Sequence, residues 1–101
     1  MNIHFDIDDE DPAPTIEANV LLNNILFNIY CYIYPISNLV PDGSGGVDVV
    51  WTNKDKDKEL RLHIFNCGTR YSLYFRHGSD SDFTNDPTIE LIVLKLIDLL
   101  R

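Results

Sequence analysis

The chain has 101 residues, 45% of them apolar, and a formal net charge of −8. That length and composition predict one folded domain over residues 1–101 with its own core, and they exclude global disorder and any dependence on disulfides or metal for size alone. The acid is segregated: residues 1–53 hold eight Asp or Glu and no Lys or Arg, whereas residues 54–101 hold eight of each sign. Such a field opposes contact with phosphate backbones, which need positive charge to release counterions, and it favours a basic partner surface.

No basic segment followed by an apolar one opens the sequence, and the longest apolar run, Leu91 to Leu100, is too short to span a bilayer. With two cysteines and no export signal, reduced thiols at Cys31 and Cys67 and a cytoplasmic location are expected.

Taken in order, Met1 to Phe5 alternates weakly. Asp6, Asp8, Asp9, Glu10 and Asp11 then crowd charge ahead of Pro12 and Pro14, so residues 1–13 read as an acidic extended lead-in, and those five acids are the candidate partner-binding residues. Asp6, Asp8, Glu10 and Glu17 fall at positions 1, 3, 5 and 12 of a calcium loop. Asp11 stands where that loop needs Gly and Pro12 follows, so calcium is not expected.

Thr15 can cap a helix with Glu17 in its first turn, running to about residue 32, where Pro35 stops it. Ile16, Val20, Phe27, Tyr30 and Tyr34 lie near one face, broadened by Leu21, Leu22, Ile25 and Leu26. The stretch Ile29 to Tyr34 is rich in β-branched and aromatic residues and, taken alone, passes for a strand.

Ile36 to Val40 reads as an extended connector. Pro41, Gly43, Gly45 and Gly46 mark a turn, with Trp51 ending the strand after it. In that strand Val47, Val49 and Trp51 alternate with Asp48, Val50 and Thr52. A charged turn at 53–58 leads to a second strand over 59–66, with Leu60, Leu62 and Ile64 on one side and Arg61, His63 and Phe65 on the other. Gly68 turns the chain into a third strand over 70–76, where Tyr71, Leu73 and Phe75 face one way.

Residues 77–82 read as a polar loop. Asp86, Pro87 and Thr88 open a last helix with Asp86 as cap and Pro87 in the first turn. There Ile89, Ile92, Val93, Leu96, Ile97 and Leu100 make the core stripe. Leu91, Leu94 and Leu99 fall outside it and are the expected homodimer contact, the alternative being that the first helix covers them within one chain. The expected fold is α+β in the order α-β-β-β-α, a three-stranded antiparallel meander with helices packed on one face.

Catalytic and metal signatures are weak. His4, His63 and His77 are scattered, the glycines of 43–46 enter a strand and not a helix, and no Lys follows them; no catalytic residue, metal or cofactor is assigned.

The segment Pro35 to Trp51, through Pro41, Asp42, Gly45, Gly46, Val47 and Trp51, resembles the proline segment and D-G-G-[VI]-x-L-E-W strand of a group of small uncharacterised bacterial proteins. Asp6 to Leu22 resembles that group's acidic lead-in and Pro- and Glu-started helix, without its Trp and Gly. Val50 stands where the group has Glu, and the last helix is additional. The resemblance implies an antitoxin-like or accessory binding role, with a toxin or defence effector as partner. Together with the charge segregation, the expected function is a non-catalytic module that meets a basic protein surface without touching nucleic acid or membrane. The alternative is a small hydrolase or ligand-binding enzyme around the Gly43–Gly46 loop and Asp48.

Overall fold

The first helix is locked at its start before it packs on anything. In a computed structural model, which describes residues 13–29 and 36–100, α1 spans Ile16–Asn28. Thr15 caps it by accepting the Ala18 amide at 3.1 Å, satisfying one of the orphan donors of a helix N-terminus. The Thr15 hydroxyl also donates to the Asn66 carbonyl at 2.6 Å, and its amide donates to the Gly45 carbonyl at 2.8 Å. Two bonds therefore tie the start of α1 to two loops, beside the cap itself. The arc it buries is Ala18, Leu22, Ile25 and Leu26, continued by Ile29.

The stripe read from periodicity faces the other way. Ile16, Val20 and Phe27 are 79%, 55% and 79% exposed. A helix apolar on nearly every side has no period to say which arc is inward, and here the cap decides it. The helix ends at Asn28, short of the expected residue 32, and Tyr30 and Tyr34 lie outside the described residues.

Five strands follow, β1 (Asn38–Pro41), β2 (Val47–Thr52), β3 (Lys58–Ile64), β4 (Tyr71–His77) and β5 (Asp80–Asn85), and then α2 (Ile89–Leu100). They form one antiparallel meander in sequence order. The α+β class is as expected, but among the described residues the sheet has five strands and not three. β1 begins within the expected connector and runs one residue past it, and β5 begins within the expected polar loop and runs three residues past it.

The inner face carries four cross-strand rows: Pro41–Val47–Ile64–Tyr71, Leu39–Val49–Leu62–Leu73–Thr84, Trp51–Leu60–Phe75–Asp82 and Lys58–His77–Asp80. Val47, Val49, Trp51, Leu60, Leu62, Ile64, Leu73 and Phe75 are buried there against α1 and against Ile92, Leu96 and Leu99 of α2. Burying each such side chain contributes about 1.5–3 kcal/mol, which is what holds both helices on this face. At the margin, the buried Lys58 donates from Nζ to the Asp98 carbonyl at 2.9 Å and so ties the start of β3 to α2.

Two details of α2 differ from expectation. Its cap is Thr88, whose hydroxyl accepts the Leu91 amide at 3.1 Å. Asp86 instead sits at φ 47°, where its amide and carboxylate bracket the backbone of Tyr71. Leu99 is buried in the single-chain core and cannot also meet a second chain. Leu91 is half-buried against that core, and only Leu94, 61% exposed, points away.

Candidate functional site

With both helices on one face, the other face of the sheet is, among the described residues, left to its own side chains. Alternation along the strands sets three rows there: Val40–Asp48–His63–Ser72–Asn85, Asn38–Val50–Arg61–Tyr74–Phe83 and Thr52–Glu59–Arg76–Ser81. Two adjoining depressions of about 430 and 510 Å³ lie over these rows, and both are lined by Asp48, Glu59 and Arg61. Tyr74 and the exposed Phe83 flank the first, Val40 and Val50 the second.

The glycine loop supplies one corner of this surface. Gly43 and Gly45 take φ of +85° and +90°, values that other residues rarely adopt. This lets the loop curl around Asp42, whose Oδ1 accepts the amides of Ser44 at 2.7 Å and Gly46 at 2.9 Å. Asp42 Oδ2 meets His63 Nε2 at 2.9 Å. Burial alone pushes the Asp42 carboxyl up, but the bond to His63 and the two amides outweigh it and hold the acid below the ordinary range. His63 is held in turn by a stack on Phe65, with ring centroids 4.4 Å apart, and the Arg70 guanidinium lies over that Phe65 ring.

Asp48 sits beside this corner, between Val40 and His63 in its row. Burial raises its carboxyl above the ordinary value, and the attraction of His63 and Arg61 does not offset that. No hydrogen bond or ion pair within 4 Å joins Asp48 to another described side chain, whereas Arg61 reaches Glu59 at 3.5 Å and Glu59 lies opposite Arg76. The carboxylate is half-buried, short of compensation and open to the groove. Chemically it is a receptor for a cation or a hydrogen-bond donor brought from outside.

Of the residues singled out in the sequence, Asp6, Asp8, Asp9, Glu10 and Asp11 lie outside the described residues. Pro41, Gly43, Gly45 and Gly46 form the loop at the corner, while Trp51 is on the opposite, buried face. Arg61 and Tyr74 carry no functional signal in the sequence, Asp42 enters there only as part of the turn motif, and His63 only as one of three scattered histidines. The local signal for Asp42 was its place two residues before Ser44 and four before Gly46, where an aspartate closes a turn on its own backbone. Cys67 is exposed in the turn between β3 and β4, and Cys31 lies outside the described residues.

Among the described residues no group of three or more His, Cys, Asp or Glu is placed to hold a metal ion, and no helix is long and apolar enough to cross a membrane. Neither a family model nor any curated protein or solved structure matches the chain.

Proposed function

We propose that the protein is a non-catalytic binding module, an antitoxin-like inhibitor or accessory subunit, that receives a basic protein surface on its acidic half. The observation that carries this reading is Asp48: a half-buried carboxylate, only partly compensated by His63 and Arg61, at the junction of two shallow depressions on a sheet face that the helices leave open. A broad, shallow surface suits a macromolecular partner better than a small molecule, which is normally enclosed on most sides. The segregation of all net charge into residues 1–53 supports a partner of opposite sign.

The test is capture of the partner by the full chain, followed by titration of the purified pair. Asp48→Asn is expected to weaken binding by about tenfold, about 1.4 kcal/mol. Neutralising Asp8, Asp9, Glu10 and Asp11 together is expected to slow association and flatten its salt dependence. Affinity unchanged in both variants would remove the electrostatic reading.

A second reading rests on the same corner. Asp42 of the glycine loop, His63 and Asp48 come together, with Ser72 directly opposite His63 on β4, so an enzyme built around the Gly43–Gly46 loop and Asp48 has a geometric basis. A hydrolase screen of the wild type and Asp48→Asn separates the two: turnover lost in the variant supports the enzyme, and no turnover in either supports the module.

A further inference from the structure

The two edges of the sheet are not alike. β1 is four residues long and ends on Pro41, which has no amide to offer, so that edge is short and partly blocked. β5 is six residues long, has neither proline nor lysine, and pairs in unbroken register with β4 from Asp80 to Asn85. Among the described residues nothing pairs with its other side. In an antiparallel ladder alternate residues turn their N–H and C=O groups away from the partner strand, so β5 presents a row of them outward.

We infer that the outer edge of β5 is a strand-addition site that takes an extended, Lys- or Arg-bearing segment of a partner, main chain to main chain. Charge selects this occupant. Asp80 and Asp82 lie on the helix side of β5, with Asp98 of α2 lining the same 400 Å³ depression. Asp82 is only loosely engaged, 3.7 Å from Lys95 and itself 76% exposed, and Asp80 makes no ion pair among the described residues. On the other side Phe83, 62% exposed beside Tyr74, offers an apolar surface for the added strand's alternate side chains.

A second copy is a poor occupant. Every symmetric antiparallel pairing of β5 with itself that keeps the faces matched sets one carboxylate opposite or diagonal to another, in a chain that already carries a net charge of −8. The same two aspartates that repel a copy attract a basic strand. The partner's sign is shared with the function proposed above, but the surface and the observation are different.

The probe is a blocked peptide of alternating lysine and valine, with a glutamate–valine peptide as control, added to the isotope-labelled full chain while amide exchange is followed by NMR. Saturable binding of the lysine peptide is expected, with slowed exchange at alternate amides of residues 80–85. The double variant Asp80→Lys, Asp82→Lys is expected to lose at least tenfold in affinity and to gain binding of the glutamate peptide. Asp80→Asn, Asp82→Asn gives the same direction with less disturbance of folding, and circular dichroism checks both. Peptide binding that leaves those amides unchanged, or outward amides already slow in the free chain, overturns the proposal. So does affinity indifferent to both variants. Loss in Asp48→Asn alone removes the edge site and leaves the groove.

Discussion

His63 Nε2 and Asp42 Oδ2 meet at 2.9 Å and join the glycine loop to the middle strand of the sheet. The contact spans 21 residues of sequence, yet it needs only the register of β2 on β3 and a loop curled back on itself. It makes Asp42 the organiser of the loop and ties that loop to His63, a residue that lines the groove.

Acid should therefore attack the loop first. The folded-state pKa of Asp42 lies below its ordinary value, so its ionised form stabilises the fold at all pH values above that ordinary value, about 3.9. The contribution is lost as pH falls through the lowered folded value. The thermal midpoint of the wild type is expected to drop more steeply below about pH 4 than that of Asp42→Asn, which lacks the titrating group. Parallel curves would disconnect Asp42 from acid stability.

Asp48 has the opposite sign. Its folded-state pKa is raised, so the protonated acid is the better fit to the fold, and the stability it brings at low pH is lost as pH rises through that raised value. At neutral pH its charge is a cost. Asp48→Asn should raise the thermal midpoint of the isolated chain while weakening partner binding, the opposed pair of effects expected where a site has been kept at the expense of stability. A variant less stable at neutral pH would show that Asp48 supports the fold.

Two glycines permit close approaches that no side chain could share. A Cβ on Gly46 would overlap the Asp42 carboxylate and the Ile64 carbonyl, and one on Gly68 would stand 2.5 Å from backbone atoms of Glu17, at φ +71°. Gly46→Ala and Gly68→Ala are each expected to destabilise by about 1–3 kcal/mol in urea titrations. Gly43→Ala, where nothing stands within 4 Å but φ is +85°, should cost less than either. A loss at Gly68 no larger than at Gly43 would assign the effect there to backbone conformation alone, and no loss at Gly46, which has no positive φ, would show that the loop yields to a side chain.

Thr15 is the third such test. Its hydroxyl both caps α1 and holds the Asn66 carbonyl, so Thr15→Ala should cost about 1–2 kcal/mol, toward the upper end for caps. Thr15→Ser keeps the oxygen and should recover most of the loss. Equivalent behaviour of the two variants would indicate that the methyl group, packed by Gly45, matters more than the cap.

The strands with a buried face were legible because alternation is written by burial. β2, β3 and β4 fall within about two residues of their expected limits, and Asp48 and His63 were placed on the correct side. β1 and β5 were not legible for the converse reason. Asn38 to Pro41 is too short for a pattern, and Asp80 to Asn85 is exposed nearly throughout and poor in β-branched residues, so both take their form from the neighbouring strand. The turn into β5 depends on Gly78 at φ +61°, with its amide bonded to the Asp57 carbonyl of another turn. The groove could not be read for a related reason. It assembles Asp48, Arg61, His63, Tyr74 and Phe83 through register, and register is a property of strand pairs, absent from any single segment.

The meander in sequence order has a consequence for how the chain folds. Each strand pairs with the one just made, so the hairpins can close locally and quickly, with little loop entropy to overcome. The core cannot. β3 takes contacts from both helices, and α1 and α2 are separated by the entire sheet. A newly formed sheet therefore waits with Val49, Trp51, Leu62 and Phe75 uncovered until α2 arrives. Slow docking of α2 onto a fast-forming sheet is the expected order of events, and during that interval the chain is most exposed to aggregation.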